Sequence, residues 1–396
     1  MREIARASLQ NPPTRAAVIT GYGVVSPLGS GVRAFFEALV AGRSGVGPIA
    51  GFDAAGLSPS IAAEVREASI SDPDRAGAFA LRAAREAVAD AGLEGAPPAR
   101  LGVVLGTTLG GMRLFEAWNA GRRTDVDLER VPYFAPSVRV ARALGCHGPV
   151  ATTQLACASS THAIALAADL VRQGRADAVL AGGTDLLCRF VVAGFNCLRA
   201  TADVARPFDR DRRGLVLGEG AAVVVVEDAG NAARRGARLR GRLLGVGAAA
   251  DAVHMTAPDR EGGGAARAIV AALGDAGLPP DAIDFVSAHG TGTPYNDAME
   301  AVALGRVFGD RRLPVNSIKG SIGHTLGAAG AFEAVMCLTA MAEGIVPPTA
   351  GLVNVDPVCA RLDLVFGGPR RATLARSVST SSGFAGTNAA LVLGRA

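Results

Sequence analysis

Residues 89–111 read ADAGLEGAPPARLGVVLGTTLGG, and residues 274–295 read GDAGLPPDAIDFVSAHGTGTPY. Each stretch is a helix end spelling D-A-G-L, a proline-containing turn, an apolar strand and a loop of glycine and threonine. A string of this kind occurring twice points to an internal duplication. GEGAAVVVVED (218–228) likewise answers to GTNAALVLGRA (386–396), a glycine turn feeding a continuous apolar strand. VATTQLACASSTHAIALAADLVRQ (150–173) has a looser counterpart at 313–342: strand, sharp turn, alanine-rich helix. The three pairs keep one order at offsets of about 160 to 190 residues. We expect two similar α/β halves, residues 15–235 and 236–396, joined within AGNAARRGARLRGR (229–242), each with a mixed, largely buried sheet. If a pseudo-twofold axis relates them, equivalent loops meet at one place and the chemistry is split between the halves.

Composition narrows the function. The chain has 396 residues, 49% hydrophobic and 19% charged, with 51 glycines, which suits a large core with many tight turns. Mean hydropathy is +0.29. No apolar run is expected to approach the roughly 18 residues of a membrane span. Residues 1–14, MREIARASLQNPPT, carry charge without an apolar stretch and read as a flexible extension, not a secretion signal. Six cysteines without CxxC pairs favour a reducing compartment, so a cytoplasmic protein is expected. A net charge of only +4, with no basic run, argues against nucleic acid, though arginines can still form a local patch for an acidic partner.

Three loops carry the reactive side chains. LACASSTHAIALAADLV puts Cys157 after a strand and at the first turn of a helix, where the macrodipole favours thiolate and small neighbours leave the sulfur accessible. The other five cysteines read as inert. SAHGTGTPYND places His289 after an apolar strand, in a loop that lets backbone and hydroxyls approach a ligand. NSIKGSIGHTLGAAGAFEAV places Lys319 and His324 among glycines ahead of a helix carrying Glu333. Lys319 is the only lysine in a chain with 40 Lys+Arg, which suggests a position that needs a compact ammonium and not a planar guanidinium. His162, one turn into the Cys157 helix, reads as structural, and His147 and His254 lack a comparable setting. The Cys and His spacings match no zinc pattern, and a lysine beside them would repel a cation, so no metal is expected.

Together, ACASS, AHGTGTPYND, KGSIGHTLGAAG, GFAGTN (383–388) and RPFDRDRRGLVLGEGAA (206–222) resemble the motif set of elongating β-ketoacyl-ACP synthases over about residues 15–396. The resemblance implies the thiolase fold, two α/β halves in five αβαβα layers. It implies that Cys157 holds the acyl chain, and that His289 and His324 stabilise the enolate formed when a malonyl thioester loses CO2. Backbone N–H groups of Cys157 and Phe384 would form the oxyanion hole, with Phe384 also gating the acyl pocket. Thr291 and Thr293 would hold the phosphopantetheine arm, and Leu109 would line the acyl tunnel. Lys319 would sit near His324, paired with Glu333; Glu333 and Asp297 are supporting residues.

No bound cofactor is implied; substrates would arrive on the phosphopantetheine of acyl carrier protein. The partner subunit would be a second copy, in a homodimer, or a chain-length partner, in a heterodimer. Fatty-acid elongation is the first reading, and a type II polyketide or polyene pathway is the alternative. Ala385 where glycine is more usual, Ser382 where an aromatic is, and a short stretch between Phe195 and Arg206 keep that alternative open. A catalytically silent chain-length subunit is disfavoured by the intact Cys157.

Overall fold

The computed structural model describes residues 15–67, 72–95, 99–122 and 127–396; the extension expected at 1–14 and the prolines at 97 and 98 lie outside them. In the first half β1 (Ala17–Ser26), β2 (Leu101–Gly106), β3 (Val150–Thr153), β4 (Ala178–Asp185) and β5 (Gly220–Asp228) lie side by side in the order 3-2-4-5-1. In the second half are β6 (Gly241–Ala250), β7 (Phe285–Ser287), β8 (Pro314–Asn316), β9 (Arg376–Gly383) and β10 (Thr387–Gly394). Their order is 8-7-9-10-6, the same permutation shifted by five. Directions repeat as well. β2 runs parallel to β3 and β4, and β7 parallel to β8 and β9; the remaining pairs within each half are antiparallel. Two residue pairs, Val18↔Arg242 and Ile19↔Gly241, link β1 to β6 across the halves.

Helices fill the other layers. α1 (Arg75–Asp90) and α2 (Ala135–Leu144) cover the outer face of the first half, and α4 (Gly263–Ala276) and α5 (Pro294–Phe308) cover that of the second. Between the sheets lie α3 (Ser159–Arg172) and α6 (Ala329–Glu343), which touch each other and strands of both halves. This is the five-layered, duplicated thiolase fold. The stretch Leu326–Glu343 is, against expectation, long and apolar enough to cross a membrane. It is buried along most of its length because sheets pack on both of its sides, which is why α6 is apolar all round.

The outer helices dock by backbone approach. On β1, a Cβ at Gly21 or Gly23 would collide with the carbonyls of Ala87 and Ala83 on α1. On β6, a Cβ at Gly245 or Gly247 would collide with those of Ala272 and Ala268 on α4. A G-x-G on a strand facing alanines one helical turn apart is thus a fourth repeated feature of the sequence.

These glycines and Gly274 predict opposite outcomes. Gly23→Ala or Gly247→Ala forces helix and sheet apart and should cost about 1–3 kcal/mol. Gly274, in α4 with open space at its Cβ position, should gain about 0.5–1 kcal/mol as Gly274→Ala. Thermal unfolding of the three variants checks both signs.

Candidate active site

α3 and α6 meet at their N-termini. Ser160 Oγ accepts the Ala331 N–H at 3.0 Å, and a side chain at Gly330 would occupy the place of Thr161. The loops ahead of these helices are therefore brought together, carrying Cys157 from one half and His324 from the other. Cys157 follows Ala156, whose φ of 48° is left-handed and strained for a residue with a side chain. His324 is pinned by its backbone between Val216 O (2.7 Å) and Gly218 N (2.9 Å). His289 arrives from the C-terminal end of β7, and Lys319 from that of β8 through the short helix Lys319–Ile322.

The four side chains form one buried cluster. His324 Nε2 lies 2.9 Å from Cys157 Sγ, and the two imidazoles meet edge to face with centroids 5.2 Å apart. Lys319 Nζ contacts Glu333 Oε1 and lies 3.3 Å from His289 Nδ1. The lysine was expected near His324 and paired with Glu333, and it is; its contact with His289 is an addition that the sequence did not suggest. An ammonium only donates, so His289 Nδ1 must be the acceptor and its proton must sit on Nε2. Lys319 thereby fixes the tautomer that presents an N–H to the site.

Burial holds both histidines well below the ordinary imidazole range, and Lys319 depresses them further, so both are neutral at pH 7. Burial pushes Glu333 up to about 7, with Lys319 pulling against it. The same burial corrects the expectation of a resting thiolate. Cys157 is 7% exposed, and desolvation pushes its thiol up to about 11, outweighing the opposing pull of Lys319 and of the Phe384 N–H aimed at the sulfur. Sγ and the ring nitrogens of His289 and His324 all lie within 4.8 Å of one another, a spacing that would also suit a soft cation. Yet His289 offers an N–H there and not a lone pair, so the arrangement favours negative charge.

Carboxylates on α5 hold the His289 loop. Asp297, expected as a supporting residue, accepts the Gly292 N–H at 3.2 Å and the Phe208 N–H at 2.7 Å, and lies 3.6 Å from buried Arg212. Glu300 was not anticipated. It accepts the N–H groups of His289 (2.6 Å) and Gly290 (2.7 Å) and the Thr380 hydroxyl (2.7 Å). The signal for it was the i, i+3 pair of acids in the first turns of a helix that follows a glycine loop. Asp185, also unanticipated, accepts from Thr107, Thr108, Leu109 and Gly327 and so ties the loop after β2 to the loop ahead of α6; burial pushes its carboxyl up to about 6.

Two cavities share the Cys157 sulfur as a wall. One, about 310 Å³, runs outward past His289, His324, Thr291 and Thr293, whose hydroxyls are 2.9 Å apart. The other, about 480 Å³, is lined by Leu109, Val191, Phe195, Leu198 and Leu326 and reaches exposed Phe190. Phe384 stands between them, stacked on Phe195 with centroids 5.7 Å apart. The Gly383–Phe384 step lies against Ala156–Cys157, bringing the Phe384 N–H to the sulfur. Ala385 next to Phe384 has a φ of 63°, a conformation glycine takes more readily.

Residues 14–232 match the beta-ketoacyl synthase N-terminal domain, and residues 240–353 match the beta-ketoacyl synthase C-terminal domain. The chain belongs to the β-ketoacyl synthase family. It is a condensing enzyme of the acyltransferase type. It is 40% identical over 411 residues to the 3-oxoacyl-[acyl-carrier-protein] synthase 2 of Coxiella burnetii, covering 96% of this chain and 99% of that one. It is equally 40% identical over 414 residues to a putative polyketide beta-ketoacyl synthase 1 of Streptomyces halstedii, covering 96% and 98%. The solved ishigamide ketosynthase/chain length factor superposes with a TM-score of 0.91 at 38% identity, covering 97% of this β-ketoacyl synthase and 100% of that chain.

A neutral resting thiol gives Cys157 alkylation a distinctive pH profile. Labelling of the Cys157 peptide by iodoacetamide, followed by mass spectrometry, should climb through pH 9 without levelling. Cys197, which is exposed, should label alongside it, whereas a long-chain epoxide should select Cys157. A plateau near pH 6 to 7 would show a thiolate–imidazolium pair instead. For the lysine, Lys319→Met should release the His289 tautomer, seen as a redistribution between Nδ1–H and Nε2–H signals in imidazole 15N spectra of the folded protein. Lys319→Arg should not restore the wild-type pattern, since a guanidinium leaves donors unmet in so confined a space.

Proposed function

We propose that this β-ketoacyl synthase extends a Cys157-bound acyl chain by two carbons from a malonyl thioester carried on acyl carrier protein. The observation that carries this reading is one sulfur, shared by two cavities, facing two neutral imidazoles.

In the loading step Cys157 Sγ attacks the acyl thioester carbonyl, whose oxygen becomes negative against the N–H groups of Cys157 and Phe384. His324 Nε2 takes the thiol proton as the bond forms and passes it to the departing carrier sulfur. The acyl chain then lies in the 480 Å³ cavity past Phe384. In the second step the malonyl arm enters between Thr291 and Thr293. Its carboxylate leaves as CO2, and the electron pair of the broken C–C bond becomes the enolate, whose oxygen accepts from His289 Nε2–H and from His324. His324 Nδ1 has no hydrogen-bond partner among the described residues, so its proton can sit on either nitrogen and serve both steps. The enolate carbon attacks the acyl–sulfur carbonyl, the C–S bond breaks, and Cys157 leaves as thiolate and takes up one proton from solvent.

Fatty-acid elongation and type II polyketide synthesis use this same reaction, and relatives named for each are 40% identical. We favour elongation of a fatty acyl chain in the cytoplasm. A polyketide role is favoured instead by the strained Ala385 at the gate and by the exposed apolar rim of the acyl cavity, at Phe190 and Leu198. That rim, together with the outer strand β3 bearing exposed Val150, supports a second subunit on this face. A second copy of the chain fits a homodimer; a chain-length partner, as named for the ishigamide relative, fits the polyketide role.

The two half-reactions separate by mutation. Cys157→Gln should abolish acyl loading and leave malonyl-carrier decarboxylation measurable. His324→Ala should reduce decarboxylation by roughly two to three orders of magnitude, the scale of one lost oxyanion donor. If both variants lose the same half-reaction and keep the other, the assignment of roles is wrong.

A further inference from the structure

The loop that carries His289, Thr291 and Thr293 has no regular structure of its own. It runs between the end of β7 at Ser287 and the start of α5 at Pro294, and Gly290 and Gly292 in it take φ values of 36° and 82°. Its shape must therefore come from what grips it. Glu300 and Asp297 hold its N–H groups, as described above.

The grip on its carbonyls comes from the other half of the chain. Residues 206–212 leave the first half and lodge in the second. Phe208 is fully buried in a cluster with Val286, Ala288 and Leu304, and a Cβ at Gly290 would lie 2.7 Å from its ring. Its φ is 62°, a strained value for a bulky residue. Asp209 accepts the Val353 and Asn354 N–H groups at 2.8 Å each. From this anchored segment Arg212 sends its guanidinium back to the loop. Nε donates to Thr293 O at 3.2 Å and Nη2 to Pro294 O at 3.1 Å, while Nη1 donates to Asp209 O at 2.9 Å and pairs with Asp356. Arg212 is 7% exposed and does not line the outer cavity.

A buried guanidinium is a costly way to hold a fold, since apolar residues of similar volume often serve stability as well. This one also lies at the N-terminal end of α5, where the macrodipole disfavours a cation. What apolar packing cannot supply is a planar fork of donors to two successive carbonyls. The fork fixes where Thr293 stands and, through the 2.9 Å contact between the hydroxyls, where Thr291 stands. Resting on the carrier-borne substrate reading above, we propose that Arg212 is a positioning residue for the pantetheine arm. It touches no substrate itself and holds Thr291 and Thr293 where their hydroxyls meet the arm.

Protection of Cys157 tests this without turnover. Free pantetheine seated in the outer cavity should shield the sulfur from iodoacetamide, and mass spectrometry of the Cys157 peptide gives the half-protecting concentration. Arg212→Lys keeps a charge beside Asp297 and Asp356 but loses the fork. It should raise that concentration roughly tenfold, the scale of one lost hydrogen bond to a charged group. The unprotected labelling rate and the imidazole 15N signals should stay as in wild type. Thr291→Val should raise the concentration similarly, and the double variant should fall well short of the product of the two effects, because both act on one contact. Wild-type protection in Arg212→Lys would overturn the proposal, as would effects that multiply in the double variant or a wild-type enzyme that pantetheine does not protect. A changed unprotected rate or altered imidazole signals would show that the guanidinium supports the whole site, which refutes the specific role. Loss of condensation with the protection pattern intact would instead strike the condensing reading and leave the role of Arg212 standing.

Discussion

One ammonium, buried against one carboxylate and one imidazole, organises this active site. Removing a charge from water is costly unless it is paired, and Lys319 is paired with Glu333 while still donating to His289. That single contact decides which ring nitrogen carries the proton, helps keep two adjacent imidazoles neutral, and makes a Cys/His/His cluster a receptor for an oxyanion and not for a metal. Arginine, used at every other basic position, is too broad and presents too many donors for the space.

The duplication explains why such a cluster can exist. Two helices with sheets on both sides bring their N-termini together only because the halves share one strand order and one set of strand directions. Each half then contributes what the other lacks, the nucleophile from one and the histidines and lysine from the other. The glycine–alanine contacts of β1 with α1 and of β6 with α4 repeat with the same spacing. The outer layers are therefore related by the same symmetry as the chemistry.

Much of this was legible in the sequence, and the misses have physical causes. The paired D-A-G-L stretches and the loops around Cys157, His289 and Lys319 carry local signals, since turn chemistry and strand patterning act over a few residues. Lys319 pairs with Glu333 and acts on His324 as expected; its contact with His289 Nδ1 was not anticipated, because residues thirty apart in the chain give no sequence signal of meeting. The helix dipole at Cys157 is visible in the sequence, whereas the desolvation that opposes it comes from both halves packed together. Arg212 and Asp185 hold groups far along the chain, and such contacts leave little local trace. The apolar stretch Leu326–Glu343 looks like a membrane helix for the same reason: composition records burial and not what does the burying.

The sulfur shared by two cavities has a kinetic consequence. On the proposed reaction, acyl donor and extender would reach it through the same mouth, one after the other, and only the acyl group would move on past Phe384. An extender already seated in the mouth therefore excludes the acyl donor from an unloaded enzyme. Throughput should peak and then decline as extender is raised at a fixed supply of acyl donor. The flux through this step is thus set by the ratio of the two loaded carriers, and a cell can throttle it by changing that ratio without altering the amount of enzyme.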